Sequence, residues 1–132
     1  MIADRATLGR VARRQLARPA RLAEILIRDG EDCVWCGRTF DARTRPTTDH
    51  VIPRVKGGPS WTENEVAACR RCNAERGHLS PADWLAECER RTWPANRPTI
   101  IRRLGELTQA IDQFGGQRRA RGYLAGQLRR LT

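Results

Sequence analysis

Four of the five cysteines fall into two CxxC pairs, Cys33-Val34-Trp35-Cys36 and Cys69-Arg70-Arg71-Cys72, with 32 residues between them. Two residues between thiolates allow a tight turn that aims both sulfurs at one ion, and two such knuckles complete a tetrahedron. Gly37 directly after the first pair suits the backbone of such a turn. A redox dithiol would instead be a single CxxC on a thioredoxin-like pattern, which is absent. The pairs Cys33, Cys36, Cys69 and Cys72 therefore predict a structural zinc, with no coordination position left open and with metal binding contributing to the folding free energy. The chain has 132 residues and a hydrophobic fraction of 39%, so such a staple reinforces a thin core. Cys88 stands alone on an expected helix and reads as a small buried or half-buried apolar residue.

Cysteines used for metal go with a reducing compartment. The N-terminal residues 1–10 are basic, but no apolar segment follows them that would make a secretory signal, so a cytoplasmic protein is expected. The longest aliphatic run, Ile25-Leu26-Ile27 with Leu22 and Ala23 before it, is far too short to span a membrane.

The charge is lopsided: 25 basic residues, all arginine except Lys56, face 15 acidic ones, a net +10 with a pI near 11. Such a balance favours nucleic acid, an anionic membrane surface or an acidic protein as partner. It is also uneven along the chain. Residues 1–30 carry +4, residues 31–98 carry +1 and residues 99–132 carry +5. Every cysteine, histidine and tryptophan lies in the middle segment. The division predicts a central chemical core, 31–98, between two basic helical flanks. In the first flank, Leu8, Val11, Ala12 and Leu16 repeat at helical spacing, Pro19 interrupts, and a second helix over about 20–28 stops at Gly30. In the last flank, Ile100, Leu104, Leu107, Ile111 and Phe114 form one apolar stripe up to Gly115-Gly116. A final helix over about 117–131 follows. Its Arg118, Arg119 and Arg121 are candidate phosphate contacts, because a guanidinium fork meets a phosphate bidentately; the plainer alternative is a solvated helix face.

The middle segment reads as strand 47–52, a loop turned by Gly57, Gly58 and Pro59, a strand over 65–68, and a short helix from Arg70 to Arg76 with Gly77 as C-cap. Ser80-Pro81-Ala82-Asp83 then opens another helix, with Ser80 as N-cap. The fold class is α+β. Trp35, Trp61, Trp84 and Trp93 are read as packing residues in preference to base-stacking platforms.

Asp49-His50, the middle Asn64 and Cys72-Asn73, set between the two knuckles, resemble the signature of the HNH nucleases in their zinc-stapled branch. The resemblance covers about residues 20–90. It implies the ββα-metal fold, cleavage of DNA and a catalytic divalent ion. By the same resemblance His50 is the general base, Asp49 and Asn73 hold the ion, and Asn64 ties the loop to the backbone near His50. The residue types suit these roles. A histidine titrates near neutrality and can take a proton from water. A carboxylate and an amide oxygen suit Mg²⁺ or Mn²⁺. Where some members of the family carry a histidine, this chain has Asn73, and His78 five residues on is a further candidate ligand. Arg54, Lys56 and Arg76 are candidate nucleic-acid contacts, Arg76 alternatively a structural one. Two other classes compete: a non-catalytic zinc-stabilised DNA-binding module, and an accessory protein of a phage packaging or restriction machine that docks a protein partner on the C-terminal helices.

Overall fold

The computed structural model of the chain describes residues 16–132. The first helix, expected around Leu8, Val11 and Ala12, lies outside the described residues. Helix α1, Arg18–Asp29, is the helix expected over about 20–28, begun two residues earlier because Pro19 fits its opening turn, where a missing N–H costs nothing. Gly30 ends it at φ 94°.

A two-stranded antiparallel hairpin follows: β1 is Pro46–His50 and β2 is Glu65–Cys69. The register pairs Pro46 with Cys69 at one end and His50 with Glu65 at the other. β1 stops two residues before the expected end, because beyond His50 the backbone is captured by one residue of the opposite arm. The Val51 N–H donates to the Asn64 carbonyl, and the Ile52 N–H to the Asn64 side chain. Short 3-10 turns at Arg54–Lys56 and Thr62–Asn64 shape the loop between the strands.

Helix α2, Arg70–Arg76, leaves β2 without a break and ends at Gly77. Helix α3, Pro81–Arg90, is capped by Ser80 Oγ, which accepts the Asp83 N–H at 3.0 Å. Helices α4, Arg97–Phe114, and α5, Arg118–Leu131, fold against each other. The turn between them uses Gly115 and Gly116 at φ near +75°.

The apolar stripe of α4 does not form the free docking surface expected of it. Ile100, Leu104, Leu107 and Ile111 are fully buried in the same cluster as Trp35, Val51, Val66 and Trp84. Phe114 meets Trp61 edge-on, with ring centroids 6.5 Å apart. A stripe of this width on a basic helix is an internal packing face when a hairpin with a wholly buried β2 lies beside it. The boundaries near residues 30 and 98 mark changes of charge, while packing crosses both: α1 lies on the hairpin, and α4 and α5 complete its core. Trp35 and Trp84 are buried and Trp61 and Trp93 partly so, as packing residues are. Cys88 is buried in the cluster.

Two glycines make the packing testable. A Cβ on Gly58 would lie 1.8 Å from the Ile52 carbonyl oxygen, whereas one on Gly105, inside α4, meets nothing within 4 Å. Gly105→Ala is expected to raise stability by about 0.5–1 kcal/mol through helix propensity. Gly58→Ala is expected to unfold the loop and lower stability by at least about 2 kcal/mol through overpacking. Urea denaturation of both variants measures the contrast.

Candidate active site

The two ends of the hairpin carry two different centres. At the Pro46–Cys69 end, the Sγ atoms of Cys33, Cys36, Cys69 and Cys72 lie within 4.8 Å of one another, and all four residues are buried. A tetrahedral ion with bonds of about 2.3 Å spaces its ligands by roughly 3.8 Å. Cys36 and Cys69 stand at 3.9 Å. The donor set and its closure fit zinc. Backbone geometry supports it further: the Cys69 N–H donates to Cys33 Sγ, and Arg38 approaches Cys69 Sγ at 3.2 Å. Four thiolates around a divalent ion leave a net −2, and Arg38 and Arg71 stand beside them to offset it.

At the other end, a cleft of about 270 Å³ opens between β1, the loop after it and the end of α2. Asp49, His50, Asn73 and His78 all line it. Successive residues of a strand face opposite ways, and Asp49 leans inward while His50 faces the cleft. The Asp49 carboxylate accepts from Trp35 Nε1 at 2.8 Å and from Arg76 at 3.2 Å. Burial pushes its pKa up, against the pull of Arg76 and the Trp35 hydrogen bond. Each of its oxygens has spent one lone pair on these bonds and retains another. Asn73 donates its amide weakly to the Thr48 carbonyl at 3.5 Å, which leaves its Oδ1 without a partner among the described residues. The two oxygens suit a hard divalent cation. His78 is exposed at the rim.

The His50 imidazole engages Ser60 Oγ through Nε2 at 3.0 Å. The buried Glu65 carboxylate stands 4.0 Å from the same nitrogen but is itself claimed by Arg21 at 2.7 Å. Among the described residues, Nδ1 has no hydrogen-bond partner. Burial first, and then the cations Arg54, Arg21, Arg18 and Arg76, hold the His50 pKa down at about 4. At neutral pH the ring is therefore neutral and able to accept a proton.

Asn64 closes the loop. Its Oδ1 accepts the Ile52 N–H at 2.9 Å, while its amide donates to the carbonyls of Ile52 and Pro59 at 3.1 and 3.0 Å. The residue is fully buried, with every bond direction but one used.

Arg76 is 1% exposed, which removes it from the solvent-facing phosphate contacts. Its guanidinium donates to Asp49 and to the carbonyls of His50, Val51 and Leu79, and it lies over the Trp35 ring. It is a structural clasp between β1 and α2. Arg119 donates to the Val55 carbonyl and Lys56 sits over the Tyr123 ring at 5.7 Å, so both join α5 to the loop after β1. Arg121 donates to the Gly116 and Ile111 carbonyls, satisfying the end of α4. Arg54 and Arg118 are exposed. Sequence reasoning missed Ser60, Glu65, Arg18 and Arg21 around His50, and Trp35 beneath Asp49. Glu65 could have been found from the strand register, had that been fixed.

Residues 33–85 match the family described as HNH endonuclease, so the resemblance read from the motifs is borne out on that segment. Over 53 residues, 39% of this chain, the protein is 36% identical to the CRISPR-associated endonuclease Cas9 of Corynebacterium diphtheriae. It is 33% identical over 57 residues to that of Actinomyces naeslundii. The match spans 5% of the length of each of these relatives. The crystal structure of the Type II-C Cas9 enzyme from Actinomyces naeslundii superposes with a TM-score of 0.52 at 22% identity. That superposition covers 94% of this chain and 13% of the other, so the likeness in fold includes flanking helices. No described helix is long and apolar enough to cross a membrane.

The depressed His50 pKa couples folding to pH. The unfolded imidazole binds its proton below about 6.5, the folded one only below about 4. Between these values the unfolded state holds more protons, so stability falls as pH is lowered through that window and is flat for this group above it. Denaturation at pH 4.5 and 7.5 without added magnesium is expected to show a smaller pH loss for His50→Gln than for the parent, by up to about 3 kcal/mol.

Proposed function

We propose that the chain is a metal-dependent HNH endonuclease that hydrolyses phosphodiester bonds of DNA. The observation that carries this reading is the cleft that a neutral, half-buried imidazole lines together with Asp49, Asn73 and three arginines. Hydrolysis of a phosphodiester needs an activated water, charge neutralisation on the phosphorus oxygens, and help for the departing oxygen. His50 takes the proton from water at Nδ1, with Ser60 holding the opposite nitrogen and so fixing the ring plane. Arg18 and Arg54 supply positive potential around the phosphate, the charge of Arg21 beside them being matched by Glu65. Trp35 and Arg76 hold the Asp49 carboxylate in one rotamer, and Asn64 holds the loop that carries Ser60. Asp49 and Asn73, with His78 as a candidate third ligand, would hold a Mg²⁺ or Mn²⁺ ion, which stabilises charge on the phosphate and the leaving oxygen when bound.

The four cysteines would hold the structural zinc. Its place one residue before Asn73 lets the folding ion set the position of a ligand for the catalytic one. The basic flanks, 1–30 and 99–132, would grip the nucleic-acid backbone without reading its sequence.

A plasmid-nicking assay with Mg²⁺ or Mn²⁺ tests the reading. The parent is expected to nick, and His50→Ala to lose at least ~100-fold in rate, the usual weight of a positioned base, with its zinc content and circular dichroism unchanged. Retained cleavage by His50→Ala would remove the base; a parent that shifts DNA mobility without nicking in any divalent metal would be a binding module. Cys69→Ser is expected to lose zinc and cooperative unfolding together, as measured by metal analysis and thermal melting.

A further inference from the structure

The middle segment is nearly neutral when counted along the chain, yet its charges are sorted in space. Five of its ten arginines line one cleft of about 240 Å³ at the cysteine end of the hairpin: Arg38, Arg43, Arg45, Arg70 and Arg71. Six of the ten acids of the same segment are paired with arginines outside that cleft. Glu75 and Glu87 bind Arg91, Glu89 binds Arg97, Asp83 binds Arg130, and Asp49 and Glu65 are buried with Arg76 and Arg21. Asp41, on the loop that lines the cleft, accepts the backbone N–H groups of Arg43 and Thr44 at 2.8 and 2.7 Å. That turn fixes the loop on which Arg43 and Arg45 stand.

Within the cleft the arginines divide. Arg38 and Arg71 are committed to the sulfurs of Cys69 and Cys72, and Arg71 also lies over the Trp93 ring at 4.4 Å. Arg43, Arg45 and Arg70 are exposed and have no ion pair or side-chain hydrogen bond among the described residues. Three exposed guanidinium groups that line one cleft and are paired with no carboxylate among the described residues offer free donors to an anion.

The cleft is aligned with the candidate active site. Arg70 and Asn73 are three residues apart on α2 and so share a face, and Asn73 lines the His50 cleft while Arg70 lines this one. Along β1, four residue steps of ~3.3 Å separate Pro46 from His50, about 13 Å in all. A DNA duplex carries a charge every ~1.7 Å of its axis, so a single molecule crossing His50 still offers phosphates at this distance.

We propose that Arg43, Arg45 and Arg70 form a second phosphate-binding subsite, which takes a backbone phosphate of the DNA whose scissile bond lies at His50. The subsite rests on the reading of the His50 cleft as a DNA-cleaving centre. It sets the direction in which the DNA runs, along α2 toward the cysteine cluster, and it places a DNA grip inside the core as well as on the flanks.

Fluorescence anisotropy of the full chain on labelled duplex and single-stranded DNA, in 50–300 mM salt without added magnesium, tests it. For Arg43→Ala/Arg45→Ala/Arg70→Ala, Kd is expected to rise at least ~10-fold, and the slope of log K against log salt to shrink in magnitude by about 0.7–0.9, the share of one lost phosphate. Arg43→Lys/Arg45→Lys/Arg70→Lys, which keeps the charge, is expected to retain the parental slope. Thermal melting checks that all variants fold, and the single alanine variants replace the triple one if it does not. An alanine variant that folds and matches the parent in Kd and slope on both DNA forms overturns the subsite. The nicking comparison with His50→Ala is read separately, so nuclease activity can stand while the subsite falls. A parent that binds neither DNA form overturns both.

Discussion

The register of one short hairpin governs this molecule. β1 and β2 are five residues each, and a shift of one residue would turn every side chain to the wrong face. Two devices at opposite ends prevent that. At the Pro46–Cys69 end, the second cysteine pair straddles the junction of β2 and α2, and the first folds over from the preceding loop, so all four sulfurs meet only in one register. At the His50–Glu65 end, Asn64 and Arg76 hold the backbone of residues 50–52. With both ends held, the five residue pairs between them have no freedom to slide.

From that constraint the rest of the fold follows in layers. A hairpin of two strands has too little surface to be stable alone. Here β2 is buried along its whole length, because α1 covers it and the α4–α5 pair closes the core beyond. The basic helices at both ends of the chain thus perform two tasks on two faces. Their apolar sides are the other half of the core, while arginines such as Arg18 and Arg21 reach from α1 to the strands beside His50. A division of the sequence by charge alone separates what the packing joins.

Much of this architecture was legible beforehand. The helix Arg70–Arg76, the cap at Ser80, the stop at Gly30 and the turn within each cysteine pair depend on residues close in sequence, whose turn and capping chemistry is local, and the ligand count of a tetrahedral ion brings the two pairs together. The environment of His50 was not legible in the same way. Ser60 and Glu65 reach it only through the loop closure and the strand pairing, and Arg21 arrives from 29 residues upstream. The apolar stripe of α4 was visible, but not what covers it, since periodicity marks a face without naming its partner. Arg76 illustrates the same limit: the motif drew attention to it, while its burial, which decides between a phosphate and a structural contact, is a property of the assembled core.

That burial also restricts which sequences could replace this one. The Arg76 guanidinium spreads its donors over a carboxylate and three carbonyls in three directions, and stacks its plane on an indole. A lysine in its place would bring one point charge and three donors on a tetrahedral nitrogen, which cannot span that fan. Some of the buried carbonyls and the Asp49 oxygen would then be left dry and unpaired. Substitution at residue 76 by the other long cation would therefore have to be accompanied by changes at Trp35 or in the turn at Leu79, so these positions are free to vary only as a group.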